Sequence, residues 1–267
     1  MARIRTGMIK IEGKVEDKVL LGGGRYGPYM RKAVEPGTKK DEPALKKEYS
    51  RTGFLNNLAS EINAAIKEHC GALKSSRFYE QLLSKFRKEP VNNRLLLLQT
   101  IKGMEVNDSY PFAKHGVMEF LCEGDKKGLR VQLKVKAHPR VVKKGDNCYS
   151  FEVLLLTWGR KVKTTEVDCQ YSEWVYQKKE RPVFDFYFKR PDEAVHWLVA
   201  VRINLGKDGI ATELLAADGM QVIDSGSFDQ REMDWLAEQM KSKSRKVSNG
   251  IKKNCQIKRI KASGTAG

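Results

Sequence analysis

Cysteine and histidine are the residues from which a catalytic or metal centre is most readily built, and the chain holds five of the first and four of the second. Cys70, Cys122, Cys148, Cys169 and Cys255 are odd in number, widely spaced and never arranged as C-x-x-C. Such spacing supports neither a disulfide framework nor a zinc knuckle, and reduced core thiols are the expectation. His69, His115, His138 and His196 are scattered. His69 and Cys70 are neighbours, but consecutive helical positions point in different directions and make poor joint metal ligands. Gly22, Gly23, Gly24 and Gly27 suggest a phosphate-cradling loop, yet no G-K-[ST] follows, so a plain turn is expected. There is no G-x-S-x-G and no H-E-x-x-H. No catalytic residue, metal ligand or cofactor is assigned, and an active centre would have to be assembled from distant residues by the fold.

Charge is the stronger signal. The net formal charge of +17 is concentrated in two segments. Lys126 to Lys144 contains eight basic residues and no acidic one, and Lys241 to the C-terminus contains nine and again no acid. The candidate nucleic-acid-binding residues are Arg130, Lys134, Lys136, Arg140, Lys143 and Lys144 in the first segment. In the second they are Lys241, Lys243, Arg245, Lys246, Lys252, Lys253, Lys258, Arg259 and Lys261. Within GLRVQLKVKAHP, strand alternation turns Leu129, Val131, Leu133, Val135 and Ala137 to the core and Arg130, Gln132, Lys134, Lys136 and His138 outward. Such a row can follow a phosphate backbone, or it can be a solvated face kept basic for solubility and against edge pairing. The terminal run reads as a nucleic-acid-binding arm in preference to a solubilising tail, because acids are wholly absent from it. Neither segment interleaves aromatics as a base-stacking platform does, which argues against sequence-specific single-strand recognition.

The elements that must carry these residues are legible from period and punctuation. Residues 8–34 alternate around the glycine cluster, as a small hairpin or meander does. Leu55, Leu58, Ile62, Ile66 and Cys70 fall on one helical face, with Gly71 as a stop. A second helix starts near Ser76, with Phe78, Leu82 and Phe86 inward, and ends before Pro90. A third runs from Asn93 through Leu95, Leu98 and Ile101, and the three are expected to form a small bundle. About eight strands follow without intervening helices: 117–121, 129–137, 148–158, 163–176, 183–188, 194–204, 210–216 and 220–224. A final helix is signalled by Ser227 and Gln230 at capping-box spacing, then by Met233, Leu236 and Met240 on one face.

The expected fold class is α+β, with a β-hairpin and helical domain over 1–106, an antiparallel β-sandwich of immunoglobulin-like or similar type with a C-terminal helix over 107–243, and a basic tail over 244–267. Apolar runs are too short to span a bilayer, so a cytoplasmic location is expected. Gly7, Ile9, Ile11, Gly13, Asp17, Gly27, Tyr29 and Arg31, followed by DEPALKKEYSRTGFLNNLASEINAAIK, resemble the opening of a family of uncharacterised bacterial proteins of similar length. In that family a G-x-I-x-x-x-G strand and a G-x-Y turn precede a helix that begins near an Arg and an aromatic. The resemblance covers about the first 90 residues. It implies no activity, and GGGRYG departs from the family's usual polar turn. The leading expectation is a non-enzymatic protein that binds nucleic acid or another polyanion. The alternative is a self-assembling structural subunit, a homo-oligomer or filament, that pairs through its hairpin or sandwich edges.

Overall fold

A computed structural model describes residues 3–5, 10–15, 18–21, 29–32 and 43–242, except 71–72, 141–143, 161–164, 177–180 and 213. The glycine cluster, Lys143 and the basic run from Lys243 onward lie outside the described residues. The chain divides into two compact units, Met1–Thr52 and Gly53–Gly267. In the first, β1 (Arg3–Arg5), β2 (Lys10–Val15), β3 (Lys18–Leu21) and β4 (Tyr29–Lys32) pair antiparallel in that order. The register sets Ile4 opposite Ile11, Gly13 opposite Leu20 and Val19 opposite Arg31.

The second unit is α+β, built on antiparallel sheets. α1 (Pro43–Cys70) runs into it and buries Leu55, Leu58, Ile62, Ile66 and Cys70, the stripe read from the sequence. α2 (Phe78–Lys88) buries Phe78, Leu82, Leu83 and Phe86. α3 (Arg94–Thr100) is capped by Asn93, whose side chain accepts a hydrogen bond from Leu96 N at 3.1 Å.

Two sheets follow. The outer sheet has the order β10 (Val183–Lys189), β6 (Gly128–Ala137), β5 (Val117–Gly124). The central sheet is built on β11 (Ala194–Lys207) and β7 (Cys148–Gly159). β13 (Asp218–Ser227) and β12 (Ile210–Ala211) pair with β11, and β8 (Thr165–Tyr171) and β9 (Val175–Tyr176) pair with β7. The stretch read as a strand over 163–176 is therefore two strands. The stretch read over 210–216 is a two-residue strand followed by a tight helical turn at Leu215–Ala217. β11 and β12 are joined through Asp208 (φ 52°) and Gly209 (φ 83°), both left-handed as a two-residue hairpin turn requires.

Alternation divides the central sheet between two cores. Tyr149, Phe151, Val153 and Leu155 of β7 pack with Val199, Val201 and Ile203 of β11 against Leu129, Val131, Leu133 and Val135 of the outer sheet. Leu154, Leu156 and Trp158 pack with Leu198, Ala200, Met220 and Val222 against residues of α1 and α2 and Leu97 and Leu98 of α3. The layers of this unit are helices, central sheet and outer sheet, a sandwich-like arrangement. The three helices cover the central sheet instead of closing on one another as a bundle, so the division read at residue 106 falls inside a shared core. The reason lies in β7, where all but one residue is buried: a run apolar on both faces must be covered on both.

The C-terminal helix, α4, spans 230–242. Leu236 is buried with Leu95 and Leu96, Met233 and Trp235 pack beside them, and Met240 is half exposed. The cap differs from the sequence reading. Asp229 accepts from Arg231 N at 3.0 Å and is the capping residue, whereas Ser227 closes β13. Among the described residues, no helix is long and apolar enough to cross a membrane.

Candidate functional site

β6 presents its basic row as the alternation requires. Leu129, Val131, Leu133 and Val135 are buried, while Arg130 and Lys134 are exposed and Lys136 half-buried. Neighbouring strands place carboxylates beside this row. Arg130 Nε donates to Asp185 Oδ1 at 3.0 Å, Gln132 reaches the same oxygen at 3.3 Å, and Lys136 pairs with Glu119 at 2.9 Å. The Arg130 hydrogen bond holds the Asp185 carboxyl below the usual carboxylate range. Lys134 is left as the open cation of the row. His138, read as its last outward member, lies past the end of β6, with Nδ1 3.0 Å from the buried Tyr149 hydroxyl. Arg140 and Lys144 are exposed beyond it, and Lys241 is exposed near the end of α4.

A second group of cations gathers where the turn after β5 meets the turn before β11. Lys126 and Lys127 are exposed there, and Lys189 stands opposite Gly128 in the register. Arg190 donates to Ala194 O at 2.8 Å and lies 5.2 Å from the centre of the Phe228 ring. Lys126, Arg190 and Arg231 line one cleft of about 650 Å³ with Asp125 and Asp229. Both acids are turned to backbone: Asp125 accepts from Lys127 N and Gly128 N at 2.7 and 2.8 Å, and Asp229 caps α4. Those bonds hold the Asp125 carboxyl below its ordinary range. Lys126, Lys127 and Arg231 are exposed at this end, and Asp192 and Glu193 on the turn before β11 are exposed beside them.

The fold also assembles a polar cluster from residues far apart in the chain. Glu152 of β7 is 4 % exposed, and its Oε1 receives three groups. His69 Nδ1, from the last turn of α1, lies at 2.9 Å, Cys169 Sγ of β8 at 3.4 Å and the Tyr171 hydroxyl at 3.5 Å. Arg202 of β11 sits 3.7 Å from Glu152 Oε2, donates to His69 O at 2.7 Å and pairs with Asp218 Oδ2 at 2.9 Å. Burial pushes the Asp218 carboxyl up against the opposing pull of Arg202, lowers His115 beside it, and drives the Cys169 thiol up to about 12. His69, Glu152 and Cys169 have ligating atoms within 4.8 Å of one another, and no other such group occurs among the described residues.

Sequence reasoning assigned none of these residues. A usable signal was present. Glu152 is the one acidic residue in β7 and Arg202 the one arginine in β11, both in otherwise apolar runs, and an ionised group there must find a buried partner. The neighbour rule applied to His69 and Cys70 was sound locally, but His69 finds its partners across the sheet.

A third group resembles a catalytic constellation without its geometry. His196 Nε2 and Ser227 Oγ lie 2.9 and 2.7 Å from the same Glu232 oxygen. The carboxylate therefore lies between hydroxyl and imidazole, whereas activation of a hydroxyl needs the imidazole in the middle. Ser227 is 2 % exposed, and its hydroxyl is also bonded to Val195 O at 3.0 Å. The group ties β11 and β13 to α4. No family model matches the chain, and neither a curated protein nor a solved structure matches it.

Proposed function

We propose that this is a non-enzymatic binding protein that engages nucleic acid or another polyanion through backbone charge. One observation carries the reading: within the acid-free segment, the cations from Lys126 to Lys136 lie along an exposed turn and the outward face of β6. Asp185 and Glu119 occupy Arg130 and Lys136, so Lys126, Lys127 and Lys134 are the strongest phosphate contacts, joined by the basic run from Lys241 onward. Phosphate contacts of this kind position a nucleic acid without reading its sequence.

An immunoglobulin-like sandwich is the architecture we infer for this module. The order β5-β6-β10 against β13-β11-β7 corresponds to strands A-B-E against G-F-C of that fold, and β8 takes the extra position beside C. Turns at the ends of such sandwiches commonly carry binding residues. The cations around Arg190 lie at one such end.

Changing Lys126, Lys127 and Lys134 together to glutamine should weaken binding to double-stranded DNA or RNA across all sequences. The salt slope should fall by about 0.9 per lysine on DNA. Fluorescence anisotropy at several salt concentrations reads both quantities. Unchanged affinity and slope would remove the outer sheet from the interface. Self-assembly through an open sheet edge is the second reading, favoured by Val117 and Leu121, 58 % and 52 % exposed on β5 at the end of the outer sheet. Light scattering separates the two, since an oligomer that persists at high salt without nucleic acid belongs to assembly.

A further inference from the structure

We propose that His69 Nδ1, Glu152 Oε1 and Cys169 Sγ form a three-ligand site for a divalent metal ion of the zinc class, with the fourth position on the side of Tyr171. The inference is independent of the polyanion reading. Tetrahedral zinc, with bonds of about 2.0 to 2.3 Å, sets its ligand atoms roughly 3.3 to 3.8 Å apart. The nitrogen and sulfur lie 2.9 and 3.4 Å from the carboxylate oxygen and within 4.8 Å of each other, so side-chain rotations that move these atoms by up to about an ångström seat the ion. One nitrogen, one sulfur and one oxygen suit zinc or its neighbours and not magnesium or calcium, which take oxygen alone.

The charge of the surroundings points the same way. Glu152 and Asp218 are two buried carboxylates facing one guanidinium, Arg202, which is already engaged by His69 O and Asp218. With the imidazole neutral, as a metal-ligating histidine must be, this leaves one negative charge in excess. A divalent ion that displaces the proton of the Cys169 thiol brings the cluster to neutrality, the proton leaving to solvent. Three groups converging on a single carboxylate oxygen is an arrangement an ion at their centre would relieve. Arg202 Nε and Asn204 Oδ1 are also buried without a hydrogen-bond partner among the described residues, so the polar end of this sheet face is not closed by protein contacts. Tyr171 lies at the sheet edge, 68 % exposed, and marks the route by which an ion or water reaches the fourth position.

The test uses the full chain, stripped with a chelator and titrated with cobalt(II). One equivalent should bind with a thiolate-to-cobalt charge-transfer band and the visible bands of tetrahedral cobalt, and zinc should bleach both. Cys169→Ser should abolish the charge-transfer band. His69→Gln should raise the dissociation constant by at least about tenfold, ligand loss costing no less than loss of a supporting hydrogen bond. Cys122→Ser, a thiol outside the cluster, should bind as the parent does. Far-UV circular dichroism of each variant establishes that it is folded. Absence of a charge-transfer band in the folded parent, or a band that survives Cys169→Ser, would overturn the proposal.

Discussion

Changing Leu133 and Val135 together to glutamine should unfold the protein at room temperature, whereas changing Lys134 and Lys136 to glutamine should leave its melting almost unaltered. The two pairs alternate on one strand, yet the first is 0 % and 1 % exposed and the second faces water. Each buried replacement loses apolar contact against β7 and β11 and places an unpaired amide in the core, at about 2–5 kcal/mol apiece. Their sum approaches the whole stability of an ordinary domain, roughly 5–15 kcal/mol. The lysine pair forfeits one exposed ion pair, Lys136 with Glu119, worth about 0–1 kcal/mol. Urea unfolding of the parent and the two double variants decides the matter, and equal loss in both double variants would show that β6 does not alternate as described.

Arg202→Met should cost about 3–5 kcal/mol, the penalty for removing one partner from a buried ion pair. The methionine fills much of the volume, but it leaves Asp218 and Glu152, with side chains 14 % and 6 % exposed, facing each other without the cation between them. It also leaves His69 O, in the last turn of α1, without its donor. Adding Asp218→Asn should restore part of the loss by removing one of the stranded charges. A double-mutant cycle from denaturant curves measures the coupling, and strict additivity of the two changes would mean that the pair does not act as a unit.

The elements that bury a stripe of one period, such as α1 and β6, were legible. The five apolar residues of α1 and the alternation of β6 are read correctly from sequence alone. The layering was not legible. A run such as FEVLLLTW fits a strand covered on both faces, but nothing in it says that helices supply the second cover. The basic row of β6 was visible, whereas its restraint by Glu119 and Asp185 was not, because those carboxylates arrive from β5 and β10 through strand pairing. The Glu152 cluster joins α1, β7, β8 and β11, elements whose neighbourhood is set by topology and by no local spacing.

The salt dependence of nucleic-acid binding by the full chain tests the central claim most directly. Binding carried by backbone charge predicts a linear fall of log affinity with log salt concentration, with a slope of about −4.5 or steeper on double-stranded DNA for five or more phosphate contacts. The slope should be nearly the same for unrelated sequences. No measurable binding at low salt, or binding whose affinity stays constant as salt is raised, would contradict the account.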